Sequence, residues 1–345
     1  MTRLLHKNSP LRIFSFSVIA SAIIFLGILF GLGGEALLLT LILAAIEITF
    51  SFDNAIINAK VLSKLAPKWQ LLFLTVGIVI AIFGMRIVFP VLIVVLTAHL
   101  GWHEVVDLAL HHPHEYAHHL EQAHAAISAF GGAFLLLLAL NYFLDDERQV
   151  RWLKRLETIF SRFSHWSIAP LIVVLLIVGL ARLPANSHAS DTIVAGLLGG
   201  ATYIALQVVE GLFGRLRAKK AEQGGQTGLA ALSTLLYLEI LDASFSFDGV
   251  IGAFAVTSDV ILIAAGLGIG ALWARSLTVY MVRNRALNKY VYVEHGAHYT
   301  VLVLACVLLT SIMWDISNLI PGLAGLGIIG ASVAASVQAR RKPAD

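Results

Sequence analysis

Residues 36–59 read ALLLTLILAAIEITFSFDNAIINA, in which Glu47 and Asp53 are the only charged side chains. An α-helix needs about 20 mainly apolar residues to cross the hydrocarbon core of a bilayer, and this stretch is long enough. An ionised carboxylate at mid-membrane costs at least about 2.5–3.5 kcal/mol, so an acid kept there is a candidate functional residue. The segment therefore predicts a membrane-spanning helix that carries part of a polar site.

The composition of the whole chain agrees with a membrane location. Of the 345 residues, 58% are hydrophobic and 13% are charged, whereas soluble domains average about 45–50% apolar and about 25% charged residues. This excess excludes the usual soluble enzyme folds and a nucleic-acid partner. The single cysteine, Cys306, excludes an intrachain disulfide and a thiolate metal site. We therefore expect an all-α polytopic membrane protein whose main partner is the lipid bilayer.

Ten apolar runs are candidate transmembrane helices. The first is too long for the apolar region of a signal peptide, and no small-residue cleavage site follows it, so it is counted as a span. The predicted spans are 13–32, 36–59, 70–98, 125–144, 167–184, 192–213, 229–257, 259–282, 298–317 and 319–338.

Lys and Arg lie in alternate connections, namely before span one and after spans two, four, six, eight and ten. The long connection 99–124 contains neither residue. Short cytoplasmic loops are enriched in Lys and Arg. The pattern predicts that both termini are cytoplasmic and that the loop 99–124 is external.

The acidic segment of span two recurs in span seven. At a fixed shift of 195 residues, FSFD at 50–53 aligns with FSFD at 245–248, and Glu47 aligns with Asp242. In spans three and eight a glycine precedes an arginine by nine residues, namely Gly77 with Arg86 and Gly266 with Arg275. Ala-His opens both span four, at His124, and span nine, at His298.

Spans two to four therefore resemble spans seven to nine. The copies lie five spans apart, so they cross the membrane in opposite directions, as the inverted repeats of secondary transporters do. The organisation predicted is a tail and first span (1–35), repeat one (36–144), a connecting segment with two spans (145–228), repeat two (229–317), and a last span with a basic tail (318–345).

Helical geometry groups many of the polar side chains of the two acidic spans. Glu47, Ser51 and Asn54 share one face, as do Glu239, Asp242 and Ser246. Asp53 and Asp248 fall about 120° away and join those faces only if the helix breaks, which Asp-Asn and Asp-Gly tolerate. Carboxylate, amide and hydroxyl oxygens suit Mn²⁺, Ca²⁺ or Mg²⁺. The candidate metal ligands are Glu47, Asp53, Asn54, Glu239, Asp242 and Asp248, with Ser51, Ser246, His124 and His298 in support.

Arg86 and Arg275 lie about 16 residues into their spans. We expect them to neutralise the acids when no metal is bound; gating, or extension of their long stems to the membrane surface, are the alternatives. A purely structural interpretation stays open, in which the acids and arginines only pair with one another.

Eight of the 13 histidines lie in the connection 99–124. Such a tract is typical of metal binding, and a solvated loop that responds to pH is the alternative. Residues 114–118, HEYAH, also match the zinc-protease pattern H-E-x-x-H, but a match is expected by accident in a tract rich in His and Glu, and no third ligand is recognisable. The accessory metal candidates are His111, His112, His114, His118 and His119.

The two acidic segments resemble a known family. Glu47 with Ser51-Phe52-Asp53-Asn54-Ala55, and Ser246-Phe247-Asp248-Gly249-Val250, are similar to the two signature segments of the TerC superfamily of integral membrane proteins. YVEHGAH at 292–298 is similar to a long bacterial branch that is known only as a domain of unknown function. The resemblance covers spans two to nine. It implies a metal-ion exporter of the bacterial plasma membrane, linked in this superfamily to manganese and by name to tellurium, whose acids bind the ion.

The expected function is export of a divalent cation, with Mn²⁺ favoured, by alternating access around the intramembrane carboxylates. The ion is cargo, and we expect no enzymatic activity and no organic cofactor. The alternative is a membrane scaffold or metal sensor that acts through its loops, and a metalloprotease is a weaker third. The sequence leaves the coupling ion and homo-oligomerisation open.

Overall fold

A computed structural model describes residues 9–341 except 99, 147, 149, 163–167, 218–227, 255, 258, 315 and 318. Nearly all of the described residues are helical. The helices are α1 (Pro10–Leu32), α2 (Gly34–Leu62), α3 (Pro67–Val79), a π-helical stretch (Ile80–Val88), α4 (Phe89–Ala98), α5 (Trp102–His111), α6 (Pro113–Phe143), α7 (Lys154–Ser161), α8 (Ile168–Ala181), α9 (Ala189–Arg217), α10 (Gly228–Phe254), α11 (Val260–Arg283), α12 (Ala286–Lys289), α13 (Val293–Ser311) and α14 (Leu319–Arg341).

Local signals explain several helix boundaries. Ser9 caps α1 by accepting a hydrogen bond from the backbone N–H of Arg12, and Asp259 caps α11 by accepting from Ile261 and Leu262. Gly33 separates α1 from α2 with a φ of 93°, a conformation that favours glycine.

Seven helices of the described chain are long and apolar enough to cross a membrane. An eighth is formed if the two parts of α2, Gly34–Thr49 and Ser51–Leu62, count as one span bent by 46°. This confirms the all-helical, membrane-protein character predicted from composition. The helix at the fifth predicted span, α8, has only 14 residues, and α10 at the seventh is not among the eight, so ten spans stay a prediction.

The predicted loop 99–124 is largely helical. As a result, the predicted start of the fourth span is wrong by twelve residues. The helix of span four begins at Pro113 rather than at 125, and α5 occupies most of the preceding residues. Proline is favoured in the first turn of a helix, where its missing N–H costs nothing. The helix of span nine likewise begins at Val293, not at 298.

The chain forms two compact units, which cut across the predicted repeat boundaries. Unit 1 comprises Met1–His124 and Leu235–Ala286, and unit 2 comprises Ala125–Thr234 and Leu287–Asp345. Unit 1 therefore holds α2, α3, α11 and most of α10, while α13 lies in unit 2. Within unit 2, α13 packs on α14 and α8 packs on α9.

The principal helix contact of unit 1 is between α2 and α11. Gly266 and Gly270 of α11 permit it: a Cβ on Gly266 would lie 2.5 Å from Leu43 Cβ, and one on Gly270 would lie 2.2 Å from Glu47 Cγ. Small residues at helix interfaces let backbones approach closely in membrane proteins. The glycines of α11 thus bring the acidic part of α2 into the core of unit 1.

Candidate functional site

The first element of the site is an ion pair between Glu47 of α2 and Arg86 of the π-helical stretch. Both residues are buried, at 3% and 6% exposure, and Arg86 Nη2 contacts Glu47 Oε1. Ser51 Oγ donates to the same carboxylate oxygen over 3.1 Å. Single π-helical turns inside α-helices are frequent at functional sites, and here the turn carries the arginine.

Backbone carbonyls hold the remainder of the Arg86 guanidinium. Its Nε donates to the carbonyl of Leu267 over 3.0 Å, and its Nη1 donates to the carbonyl of Ala81. A buried guanidinium requires both charge compensation and hydrogen bonds. The position of Arg86 is therefore fixed from three helical segments at once.

The second element is an ion pair between Asp242 of α10 and Arg275 of α11. Arg275 Nη2 lies 3.2 Å from Asp242 Oδ2 and 3.6 Å from Glu239 Oε2. The guanidinium carbon lies 3.8 Å from the centre of the Phe73 ring, which adds a cation–π contact. The arginine thus faces two carboxylates and one aromatic face.

Asn54 connects the two acidic helices. Its Nδ2 donates to Asp242 Oδ1 over 2.6 Å, so the α2 signature touches the acid of α10. The Oδ1 atoms of Asn54 and of Asn58, one turn later, are buried and have no hydrogen-bond partner. Orphaned buried oxygens are rare in native structures and call for an explanation such as a water or an ion.

A small cavity of about 10 Å³, enough for roughly one water molecule or ion, lies among these side chains. Its wall includes Arg86 of the first ion pair, both residues of the Asp242–Arg275 pair, and both asparagines. It is lined by Ser51, Asn54, Ala55, Asn58, Arg86, Asp242, Ala271, Ala274, Arg275 and Thr278. Asn54 and Asn58, whose Oδ1 atoms are orphaned, therefore line one polar cavity in unit 1.

The structure brings together part of the predicted ligand set. Glu47, Asn54, Glu239 and Asp242 belong to the two ion-pair clusters, while Asp53 is buried on α2 and does not line the cavity. Both signature segments remain helical, so the predicted unwound turn is replaced in α2 by the 46° bend. The side chains of Ser246 and Asp248 lie outside the described residues.

The two predicted supporting histidines have separate surroundings. His124 is half-buried on α6. His298 is in unit 2, where its Nδ1 donates to the carbonyl of Glu294 over 2.8 Å and its ring stacks on Tyr142 with a centroid distance of 3.5 Å. The contacts of His298 are thus made within unit 2.

The accessory histidines are distributed over the surfaces of α5 and α6. His111 pairs with Asp107 at 2.7 Å, and His118 contacts Gln122 at 3.1 Å. In the described part of the chain no three His, Cys, Asp or Glu side chains are grouped as metal ligands. Neither the H-E-x-x-H match at 114–118 nor the described acids of α2 and α10 form such a group. Glu47 and Asp242 instead pair with arginines.

Sequence reasoning missed three contributors to the site. The sequence analysis placed none of Asn58, Phe73 and Gly77 at the metal site, although it aligned Gly77 with Gly266. A Cβ on Gly77 would lie 2.8 Å from Glu239 Oε1. The signal that could have found Asn58 is its position one helical turn after Asn54 on the same face.

Comparisons with known proteins give a family without an assigned activity. The model of the family described as "Protein of unknown function (DUF475)" matches residues 52–343. No curated protein and no solved structure matches the chain. Because the match covers most of its length, the chain belongs to this family.

Proposed function

We propose that this DUF475 protein exports a divalent cation, with Mn²⁺ favoured, across the bacterial inner membrane by alternating access. The observation that carries the proposal is the pair of buried arginine–carboxylate clusters around a cavity with orphaned amide oxygens. Such charges are costly in membrane helices and are retained for function. The similarity of the two acidic segments to the TerC signatures supports the same activity.

The balance of charge suits a divalent ion. Among the described residues, α2 and α10 contribute four carboxyl groups at the core of unit 1, from Glu47, Asp53, Glu239 and Asp242. Arg86 and Arg275 supply two positive charges. With these four acids ionised, and Asp248 of α10 not counted, the formal excess is two negative charges, which one divalent cation would neutralise. The arginines compensate part of the charge when no ion is bound.

Equivalent contacts in the two acidic segments support an inverted repeat. Arg86 pairs with Glu47, and their counterparts Arg275 and Asp242 pair with each other. Gly77 of α3 lies close to Glu239 of α10, because a Cβ on Gly77 would be 2.8 Å from Glu239 Oε1. Their counterparts, Gly266 and Ala44, approach across α11 and α2, with a Cβ on Gly266 only 3.4 Å from Ala44 N.

In this proposal the ion is bound by oxygens of Asn54, Asn58 and Asp242, which line the cavity, and, once the two acidic segments rearrange, by the predicted ligands Asp53 and Asp248. These are hard oxygen ligands suited to Mn²⁺. Arg86 and Arg275 remain in the site when the ion binds, since their two charges are part of this balance. A metal bound by Asp242 would compete with Arg275 for the same carboxylate, so ion binding would couple to movement of α11.

Metal export by reconstituted protein tests the proposal. Proteoliposomes would be loaded with Mn²⁺, Ca²⁺ or Mg²⁺ in turn, and flux recorded for wild type and for Asp53→Asn, Asp242→Asn and Asp248→Asn. Each substitution keeps the shape of the side chain and removes one charge, so we expect flux to fall at least tenfold. Glu104→Gln, which removes an exposed acid on α5, is the matched control. Wild-type flux in all three aspartate variants would refute the carboxylate site.

A further inference from the structure

A second polar cluster, in unit 2, fixes the start of the connection from α6 to α7. The guanidinium carbon of Arg148 lies 3.3 Å from the centre of the Tyr142 ring. The His298 ring stacks on the same tyrosine at 3.5 Å. Two groups this close to one ring centre occupy opposite faces, so Tyr142 is held between them. Arg148 Nη1 also lies 3.6 Å from Glu294 Oε1, which anchors the start of this connection to α13.

Glu157 anchors α7 itself. It is 5% exposed, and its carboxylate accepts from the backbone N–H of Trp152 at 3.2 Å and of Leu153 at 3.1 Å. The hydroxyl of Tyr299 on α13 donates to it over 3.2 Å. His295 Nε2 lies 3.5 Å from the same carboxylate and donates to the carbonyl of Val150 over 2.9 Å. The face of α7 that carries Glu157 is therefore turned toward the protein.

The outward face of α7 combines exposed apolar side chains with cations. Leu156 and Ile159 are 49% and 53% exposed, and Leu153 just before the helix is 40% exposed. Lys154 and Arg155 are exposed on the same helix, and Arg162 follows it. Since Glu157 is the only acid in α7 and is buried, the outward face carries only positive charge.

We propose that α7 is an interfacial helix that binds anionic phospholipid headgroups. With eight residues it is too short to cross a bilayer, and it lies in the chain between α6, which is long enough to span, and the apolar α8. A helix with apolar residues on one side and Lys or Arg beside them lies in the headgroup layer. Negative lipid headgroups complement Lys154, Arg155 and Arg162, while Leu156 and Ile159 enter the acyl boundary. This inference is independent of the proposed transport activity.

A fluorescent probe on α7 tests the location. Ile159→Cys would be labelled with an environment-sensitive dye in a Cys306→Ser background, because Cys306 is the only native cysteine. The full chain would be placed in nanodiscs of phosphatidylcholine with or without phosphatidylglycerol, together with lipid-linked quenchers. We expect quenching by the lipid quenchers, several-fold stronger when phosphatidylglycerol is present. A probe at Asp146, an exposed position outside the helix, is the control and should be quenched less.

Removing the cations tests the headgroup contact. The triple variant Lys154→Gln/Arg155→Gln/Arg162→Gln should lose the phosphatidylglycerol dependence and retain several-fold less of this lipid in native mass spectrometry. The matched variant Lys60→Gln/Lys64→Gln/Lys68→Gln removes equal charge from another basic connection and should leave the α7 signal unchanged. A water-exposed probe at 159 in both lipids would overturn the inference. So would cross-linking between two copies through position 159 without lipid quenching, which would assign the face to a protein contact.

Discussion

Glu47 and Gly249 lie in contact, with the carboxylate Oε2 only 2.8 Å from the place where a Cβ on Gly249 would be. At the shift of 195 residues, Glu47 corresponds to Asp242 and Gly249 corresponds to Asn54. Asp242 and Asn54 form a hydrogen bond of 2.6 Å. A two-fold axis that relates the segments would produce this exchange of contacts. The two contacts differ in chemistry, because the amide of Asn54 donates to Asp242 whereas Gly249 has no side chain that could bond Glu47.

The glycines of α11 give a matched pair of substitutions. Gly270→Ala would place a Cβ 2.2 Å from Glu47 Cγ, whereas Gly268→Ala would meet only Ile82 at 3.5 Å. Overpacking a core costs about 1–3 kcal/mol. We expect a lower Tm in detergent for Gly270→Ala and little change for Gly268→Ala. Equal Tm values for the two variants would contradict the close packing of α2 on α11.

The Glu47–Arg86 pair predicts strong thermodynamic coupling. Glu47→Gln or Arg86→Gln alone leaves a buried charge unpaired, which costs about 3–5 kcal/mol. The double variant removes both charges, so it should be more stable than the sum of the single effects predicts. Reversible unfolding in mixed detergent would measure the cycle. Additive effects would show that the two side chains are not paired in the folded protein.

Substitution of Asn58 distinguishes a contribution to ion binding from a contribution to the stability of the fold. Its Oδ1 has no hydrogen-bond partner, and the residue lines the cavity. Asn58→Leu has similar volume and removes the amide oxygen, so we expect Tm to change by only a few degrees while Mn²⁺ flux falls at least tenfold. Asn141→Leu on α6, which replaces a half-buried asparagine of unit 2, is the control. Unchanged flux in Asn58→Leu would exclude this oxygen as a ligand.

The histidines of 99–124 distinguish transport from action through loops. Replacing all eight with Gln should lower the apparent metal affinity but leave Mn²⁺ flux measurable, because the proposed site is in unit 1 among α2, α10 and α11. Isothermal titration and proteoliposome flux on the same variant would be compared. Complete loss of flux in a folded variant would favour a metal sensor or scaffold that acts through this region.

The topology can be checked with single cysteines in a Cys306→Ser background. His103→Cys on α5 should react with an impermeant maleimide in intact cells, and Lys154→Cys on α7 should react only after the membrane is opened. This follows from the distribution of Lys and Arg between alternate connections. Labelling of Lys154→Cys in intact cells would reverse the predicted orientation.

The helical, apolar character of the chain followed from composition and from run lengths, because every backbone polar group in a bilayer must be bonded within a helix. The sequence also placed Glu47 with Ser51, and Arg86 and Arg275 deep in apolar helices. It misplaced the start of α6, because the histidines after Pro113 carry no apolar signal although the helix continues through them. It also predicted unwinding where α2 only bends.

The sequence by itself determined which side chains are costly to bury in a membrane, and it predicted which of the acids are counterparts through the shift of 195 residues. Only the tertiary structure decided which arginine meets which acid, that Asn54 reaches Asp242, and that Asn58 belongs to the same cavity. Helical periodicity fixes the face on which a residue lies but not the helix that it faces. The close approach that selects these partners depends on Gly266 and Gly270, whose effect is visible only once α2 packs on α11.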